Sequence, residues 1–311
     1  MPVFFDERYV SSPHLFETTR KSQHLADYLA KVGAAVDIVD PRGAVTVEVV
    51  EALIERLHDP AYVAALIDGD DIELAESSDF TWGPATWQFA VAHSHGIVAA
   101  IEHVAAHGGR SGSLSSGLHH ASPQGGALFC TINGLAVGAA HALTGLDVPR
   151  RVMILDLDAH CGGGTHEHLL RFPGLGIGAH GDAVQVDLSV SSVDEYQPHE
   201  PHHLRLVHLE SGSDRRYVDL VRPSLEAAAQ AWRPGMIVLY NAGVDPVNVV
   251  SFDDPKGTIA AREDLVRKFV EDKPAVFTLA GGYTWCGFTE DDVSALHHEM
   301  IWRWASPTWM A

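Results

Sequence analysis

Cysteine is scarce in this 311-residue sequence, which has only Cys130, Cys161 and Cys286. An odd and sparse set does not form the disulfide framework of a small secreted protein, so we expect a reducing, cytoplasmic location. The sequence also lacks a run of about 20 apolar residues, the length that spans a bilayer. Residues 1–15 show no basic segment followed by an apolar one, and we therefore expect no signal peptide.

Basic residues are also few, with 21 Lys and Arg against 41 Asp and Glu and a formal net charge of −20. The field of such a chain repels phosphate backbones and anionic membranes, so we expect neither nucleic acid nor membrane as a direct partner. Hydrophobic residues make up 46% and charged residues 20%. This balance is typical of a compact soluble enzyme and excludes a disordered chain.

No Pro-rich or Gly-rich linker, repeat or low-complexity tract divides the chain, which predicts a single domain over residues 1–311. The densest stretch of small residues, 108–117, leads directly into a pair of histidines. We interpret that stretch as a functional loop.

Short apolar runs alternate with amphipathic patterns along the chain. This alternation indicates strand–helix units that build an α/β domain with three layers, a central mostly parallel sheet and helices on both faces. The predicted strands are 35–39, 151–155, 236–240 and 275–279. The predicted helices include 50–57, 86–106, 133–143, 217–232 and 261–270.

Reactive side chains follow three of these predicted strands. Strand 151–155 leads into Asp156, Asp158 and His160. Strand 236–240 leads into Asp245, and strand 275–279 leads into Tyr283. Ligands of open parallel sheets bind outside the carboxyl ends of the strands, where the connecting loops converge. The sequence therefore predicts one sheet edge that collects carboxylates, an imidazole and a phenol.

Asp156, Asp158 and His160 recur at every second residue, so in an extended backbone all three project to the same side. With Asp245 from a neighbouring strand, Asp158 and His160 would form a three-ligand metal site with one open position, as in catalytic zinc sites. The alternative is that the two aspartates cap the glycine-rich turn at 162–164 and that His160 is an interior histidine. Two buried carboxylates are costly without a cation, which favours the metal site.

His119 and His120 form an adjacent pair after the small-residue stretch. Two such imidazoles can both face a small cleft. Surface histidines are the alternative, because a chain with 20 histidines often places two side by side.

Four segments then give a specific resemblance: SGLHHASPQGGALFCTING, ILDLDAHCGGGT, YNAGVDP and LAGGYT, in this order. Together they resemble the histone deacetylase and acetylpolyamine amidohydrolase superfamily. The resemblance extends over about residues 13–290 and implies the three-layer arginase/deacetylase-like fold.

The resemblance implies a zinc ion bound by Asp158, His160 and Asp245, with Fe²⁺ or Co²⁺ as alternative metals. Such an ion lowers the pKa of a bound water and polarises the scissile carbonyl. It also implies a structural K⁺ near Asp156, with Asp187 and Leu188 as the places to look for further ligands. Asp187 could instead point outward from a strand.

The catalytic roles that the resemblance implies are a general base, a charged neighbour and an oxyanion donor. His120 takes the first role and His119, held by Asp156, takes the second. Tyr283, on a Gly-Gly turn, takes the third, with a packing residue at the strand end as the alternative.

The sequence departs from the family pattern at three positions near the site. Cys161 replaces a second histidine after the metal-binding one, and we expect it to pack as a small buried thiol. Gly163 replaces an Asp or Asn that orients the general base. Leu128 replaces a glycine, which would narrow the substrate channel beside the aromatic wall predicted at Phe129.

The leading hypothesis is hydrolysis of a small acylated amine or an acyl-lysine. The alternatives are a di-metal ureohydrolase, for which we find no second set of carboxylates, and a non-catalytic protein that binds ligands in a metal pocket. Trp302, Trp304 and Trp309 near the C-terminus could form a homo-oligomer contact or pack into the core.

Overall fold

The computed structural model describes residues 1–10, 20–171, 182–191 and 203–306. In these ranges one sheet contains eight strands in the order β2-β1-β3-β8-β7-β4-β5-β6, and every neighbouring pair is parallel. The predicted parallel α/β sheet is therefore confirmed. The strands are β1 Pro2–Phe4, β2 Asp37–Val39, β3 Arg110–Ser116, β4 Val152–Asp156, β5 Ala183–Ser189, β6 His203–Leu206, β7 Ile237–Ala242 and β8 Ala275–Leu279.

The described helices cover both faces of this sheet. They are α1 Lys21–Val32, α2 Val47–Leu57, α3 Pro60–Asp68, α4 Ile72–Ala75, α5 Thr86–His107, α6 Gly134–Thr144, α7 Gly163–Arg171, α8 Asp214–Ala231, α9 Pro246–Val249, α10 Pro255–Phe269 and α11 Glu290–Ala305. Short 3₁₀ turns lie at Glu7–Tyr9 and Pro41–Gly43. None of the helices in the described ranges is long and apolar enough to cross a membrane.

Two hydrophobic cores give the three layers. One core joins α1, α8, α10 and α11 to one face of the sheet. The other joins α2, α3, α5 and α6 to the opposite face. The central strands β4 and β7 are buried along their whole length, as expected for parallel strands covered on both faces.

The predicted functional loop at 108–117 is wrong, because most of it is strand β3, between β1 and β8. The strand was not predicted from the sequence because it consists mostly of serines and a glycine and has no apolar run. The Ser111 hydroxyl donates to the Pro2 carbonyl at 3.1 Å, which satisfies a polar group inside the sheet. A Cβ at Gly112 would collide with the Phe277 ring, so a larger residue does not fit there.

The C-terminal tryptophans divide between core and surface. Trp304 is buried and stacks on Tyr240 with ring centroids 5.8 Å apart, so it belongs to the core and not to a docking patch. Trp302 is 49% exposed. Trp309 lies outside the described residues.

Candidate active site

The side chains of Asp158, His160 and Asp245 converge at the carboxyl ends of β4 and β7. One ligand atom from each lies within 4.8 Å of the others. His160 Nδ1 is 3.3 Å from Asp158 Oδ1 and 3.1 Å from Asp245 Oδ2. The two strands pair in parallel, which brings their ends to the same edge. The geometry is therefore that of a small site with one nitrogen and two carboxylate donors.

This cluster needs positive charge. Burial lowers the pKa of His160, but the hydrogen bonds and charges of Asp158 and Asp245 outweigh it and raise the pKa to about 11. Burial and the charge of Asp158 raise the pKa of Asp245 to about 6. Without an ion, a proton on His160 compensates the buried carboxylates. The donor set fits zinc, which would take the place of that proton.

Glycines let the backbone approach these carboxylates. The Gly281 N–H, just after β8, donates to Asp158 Oδ2 at 2.6 Å. A Cβ at Gly281 would collide with the Asp245 carboxylate, and one at Gly243 would collide with Asp158. Both glycines are therefore required by the close approach and not by a turn.

His119 is held beside this cluster by a buried carboxylate. Its Nδ1 lies 2.8 Å from Asp156 Oδ2, and Asn241 donates to the other Asp156 oxygen at 2.9 Å. Burial lowers the pKa of His119, but the charges of Asp156 and Asp158 raise it to about 10. His119 is thus a cation at neutral pH.

His120 lies beside His119, with ring centroids 4.1 Å apart. Burial, followed by the charge on His119, lowers the pKa of His120 well below its usual value. His120 is therefore neutral at pH 7. The two adjacent histidines differ in charge, and only His120 has a free lone pair with which to accept a proton.

Asn133 and Thr165, which the sequence analysis missed, fix the histidine loop. The Asn133 amide donates to the carbonyls of His119 at 3.3 Å and Ala121 at 3.1 Å. The Thr165 N–H also donates to the His119 carbonyl, at 3.0 Å. Asn133 is the first residue of the predicted helix 133–143, and in the structure it caps α6.

Tyr283 lines the same cavity as Asp158 and His120. Asn248 holds its backbone, because the Asn248 amide donates to the Tyr283 carbonyl at 3.1 Å and accepts from the Tyr283 N–H at 3.3 Å. Burial raises the pKa of Tyr283 well above its usual value. Its hydroxyl therefore stays protonated and can donate a hydrogen bond.

Comparison with known proteins identifies the family. A sequence model described as the histone deacetylase domain matches residues 14–297, most of the chain. The chain belongs to the histone deacetylase family. This confirms the resemblance inferred from the four motifs.

Curated relatives match only part of this family member. Histone deacetylase 2 of Arabidopsis thaliana is 30% identical over 187 residues, which are 55% of this chain and 43% of the relative. An uncharacterized protein of Picosynechococcus is 30% identical over 115 residues, 37% of this chain and 38% of that protein. The matches thus span less than half the length of these relatives.

Solved structures confirm the arginase/deacetylase fold. Acetylpolyamine aminohydrolase from Burkholderia pseudomallei superposes with a TM-score of 0.72 at 16% identity and covers 98% of both chains. The HDA15 HD domain gives a TM-score of 0.75 at 17% identity over 98% of this chain and 89% of that one. At these identities the likeness concerns the fold.

Aromatic and aliphatic side chains form the walls of the cavity. Phe129 and Leu128, both predicted, line it together with Phe80 and Phe89, which the sequence analysis missed. The rings of Phe80 and Phe129 are 5.9 Å apart. Leu128 is 50% exposed at the rim and has φ +46°, the left-handed region that favours glycine. A glycine would adopt this backbone conformation without strain.

Lys21, the first residue of α1, was also missed. It is buried, lines the cavity, and its ammonium group donates to the Ala280 carbonyl. Burial lowers the pKa of Lys21 to about 8, against the opposing effect of Asp158 and Asp245. A lysine at the start of an amphipathic helix normally faces solvent, so the sequence carried no signal for it.

Asp187 lies buried on β5 and does not point outward. Its Oδ2 accepts from the Gly162 N–H at 2.8 Å and from the Gln185 amide at 3.1 Å. Burial and the nearby Asp156 charge raise the pKa of Asp187 well above its usual value. Leu188 follows it in the core, and Cys161 is also buried, as expected for a packing residue.

Proposed function

We propose that this chain hydrolyses N-acyl amides with one zinc ion bound by Asp158, His160 and Asp245. The observation that supports it most is the charge pattern around one cavity. Asp158 lines it with a neutral His120 and a protonated Tyr283, and the donor atoms of His160 and Asp245 lie within 4.8 Å of that of Asp158. Fe²⁺ or Co²⁺ would fit the same donors.

The residues divide the chemistry. A bound zinc ion would polarise the scissile carbonyl and lower the pKa of a water molecule. Neutral His120 would accept a proton from the attacking water molecule and later donate it to the leaving amine. His119, charged and held by Asp156, stabilises negative charge that develops next to it. Tyr283 donates its hydroxyl proton in a hydrogen bond to the oxyanion.

The cavity suits a small acyl group on an extended amine. Its volume is about 50 Å³, and its walls are the rings of Phe80, Phe89 and Phe129. A broader groove lined by Trp82 and Arg8 shares Phe80 and Phe89 with it. Acetyl-lysine or an acetylpolyamine would place its acyl group inside the cavity and the remainder of the molecule along this groove.

The site favours this reaction over its two rivals. A di-metal ureohydrolase needs a second set of ligands, and the described residues contain one such group of three. A non-catalytic binder has no use for a neutral base and a hydroxyl donor in one cavity.

A structural K⁺ would lie between the side chains of Asp156 and Asp187. Asp156 and Asp187 are both fully buried, and the Oδ1 atom of Asp187 has no hydrogen-bond partner within the part of the chain that the structure describes. A monovalent cation between these side chains would satisfy that oxygen. Three cysteines in 311 residues are too few for a disulfide framework, which agrees with a cytoplasmic protein.

The test is turnover of acetyl-lysine peptides, acetylpolyamines and longer acyl amides, with metal content measured on the same samples. We expect carboxylate release that a chelator abolishes. His120→Ala and Tyr283→Phe should each lower kcat by about 100-fold or more with the metal retained.

Controls for these variants are His107→Ala and Tyr28→Phe, which change the same residue types outside the cavity. Both should keep wild-type turnover. Undiminished activity in metal-free protein would exclude the proposed reaction, and wild-type kcat in either site variant would remove that residue from it.

A further inference from the structure

Arg262 is a fully buried arginine on α10, and its guanidinium group reaches two strand ends at once. Its Nη1 lies 2.6 Å from the Gly243 carbonyl oxygen and 3.2 Å from the Leu157 carbonyl oxygen. Leu157 follows β4 and Gly243 follows β7. One buried cation therefore connects the ends of two neighbouring strands.

These two residues lie next to the metal-binding side chains. Leu157 immediately precedes Asp158, and Gly243 is two residues before Asp245. The regular pairing of β4 with β7 ends at Asp156 and Asn241, so both segments lie beyond the ladder that fixes the strands. A contact that joins them beyond this point can therefore affect how far apart the two carboxylates lie.

The Arg262 guanidinium is also held in place by contacts other than those with the two carbonyls. Its Nε donates to Glu263 Oε1 at 2.8 Å, and the Tyr240 hydroxyl donates to the same oxygen at 2.7 Å. The Tyr217 hydroxyl lies 3.2 Å from Nη1. A planar group that is fixed on several edges has little freedom to rotate, unlike the ammonium group of a lysine.

We propose that Arg262 is a positioning residue, which sets the separation of Asp158 and Asp245 by binding the carbonyls of Leu157 and Gly243. This inference rests on the proposed function, because it concerns the metal-binding carboxylates. Arg262 is neither one of the three candidate ligands nor among the residues that line the cavity. Groups that orient metal ligands from outside typically change metal affinity by about 10- to 100-fold.

A buried ion pair that only stabilises the core is the competing explanation, since Arg262 and Glu263 are both inaccessible to solvent. That role predicts lower stability with unchanged metal affinity in the molecules that fold. The positioning role predicts weaker metal binding at equal foldedness.

The experiment compares Arg262→Met with Arg267→Met. Arg267 is a matched control, because it is a buried arginine on the same helix whose Nε donates to the carbonyl of Arg303, away from the strand ends. Zinc affinity is measured by chelator competition, and thermal unfolding of the metal-free proteins is measured alongside. We expect zinc affinity about 10-fold weaker or more in Arg262→Met and unchanged in Arg267→Met.

Two milder variants apply if Arg262→Met does not fold. Arg262→Lys keeps the charge but loses the planar fork, and Glu263→Gln keeps the side-chain volume but loses the charged partner. Each should weaken zinc binding several-fold. Wild-type zinc affinity in the folded variants would overturn the positioning role.

Different results would contradict the proposed function. They are that Asp245→Ala binds zinc as tightly as the wild type, or that the wild type does not bind zinc at all. If Asp245→Ala loses zinc binding while the Arg262 variants keep wild-type zinc affinity, the positioning role of Arg262 is wrong and the proposed function stands.

Discussion

His119 donates to Asp156 at 2.8 Å inside a site where the carboxylate has no contact with solvent. Asn241 and the Asp158 N–H donate to the other oxygen of Asp156. A buried carboxylate is stable only with such partners. This pair helps to explain why the two adjacent histidines differ in charge, because burial and then the cation on His119 lower the pKa of His120.

Asp156→Asn should remove most of the charge on His119. The pKa of His119 is raised to about 10 by Asp156 and Asp158 against the effect of burial, so the loss of Asp156 should bring it down. We expect kcat to fall by about 10- to 100-fold, the usual effect of losing an orienting partner. NMR titration of the histidines and kcat measured on the same sample test both effects.

Glu102→Gln is the control for this variant. Glu102 binds His141 at 2.8 Å in a similar histidine–carboxylate pair outside the cavity. It should leave kcat unchanged. Wild-type kcat in Asp156→Asn, with a lowered pKa of His119, would show that the charge on His119 has no part in the reaction.

Metal binding should release protons. In the metal-free site the pKa of His160 is about 11, so His160 carries a proton at pH 7 that a metal must displace. Apparent zinc affinity should therefore rise by about tenfold per pH unit between pH 7 and 9. Below pH 6 the zinc affinity should change more steeply with pH. The pKa of Asp245 is about 6, so below that pH the metal must displace a second proton. Calorimetry in buffers with different ionisation enthalpies counts the protons, and an affinity independent of pH would contradict the assignment of these ligands.

The same protons make the metal-free protein sensitive to alkali. The folded pKa of His160 is raised from 6.5 to about 11, so its contribution to stability is complete below pH 6.5 and is lost as pH rises towards 11. The loss approaches about 1.4 kcal/mol per pH unit. Urea unfolding at pH 7 and 9 should show a larger fall in chelated protein than with zinc bound, where the raised pKa of His119 still contributes but that of His160 does not.

The sequence predicted that Asp158, His160 and Asp245 lie close together, while it did not predict much of the cavity. Alternation in an extended segment and the common edge of parallel strands are local rules, and they were enough for Asp158, His160 and Asp245. Lys21 and Phe80 reach the cavity through contacts between segments distant in the chain. No pattern around either residue predicts such contacts. Strand β3 escaped because its burial depends on serine hydrogen bonds to β1 and not on apolar side chains.

Lys21→Met should strengthen metal binding while it slows turnover. The buried ammonium group repels a cation bound at Asp158 and Asp245, so its removal should raise zinc affinity by a few-fold at pH 7. It should lower kcat, because negative charge that develops in the cavity loses a nearby cation. Lys31→Met, an exposed change on the same helix, is the control.

The pH dependence separates this effect from a change of packing. Burial lowers the pKa of Lys21 to about 8, so the wild type loses this charge above that pH. Zinc affinities of wild type and Lys21→Met should converge by pH 9. A difference that persists there would show that the substitution acts through shape and not through charge.

Leu128→Gly should widen the cavity at almost no cost in stability. The left-handed backbone of Leu128 costs about 1–3 kcal/mol in a non-glycine residue, and glycine removes that strain. Glycine adds a conformational entropy cost of about 0.5–1 kcal/mol, and the half-exposed side chain contributes little burial. We therefore expect a free energy of unfolding equal to or slightly above that of the wild type.

Ala127→Gly, at the preceding position with φ outside the left-handed region, is the matched control and should be destabilised by about 0.5–1 kcal/mol. Leu128→Gly alone should raise kcat/KM for butyryl amides relative to acetyl amides, because the Leu128 side chain lines the rim of the cavity. An unchanged ratio would mean that Leu128 does not limit access, and the walls at Phe80 and Phe129 would then be the place where acyl length is decided.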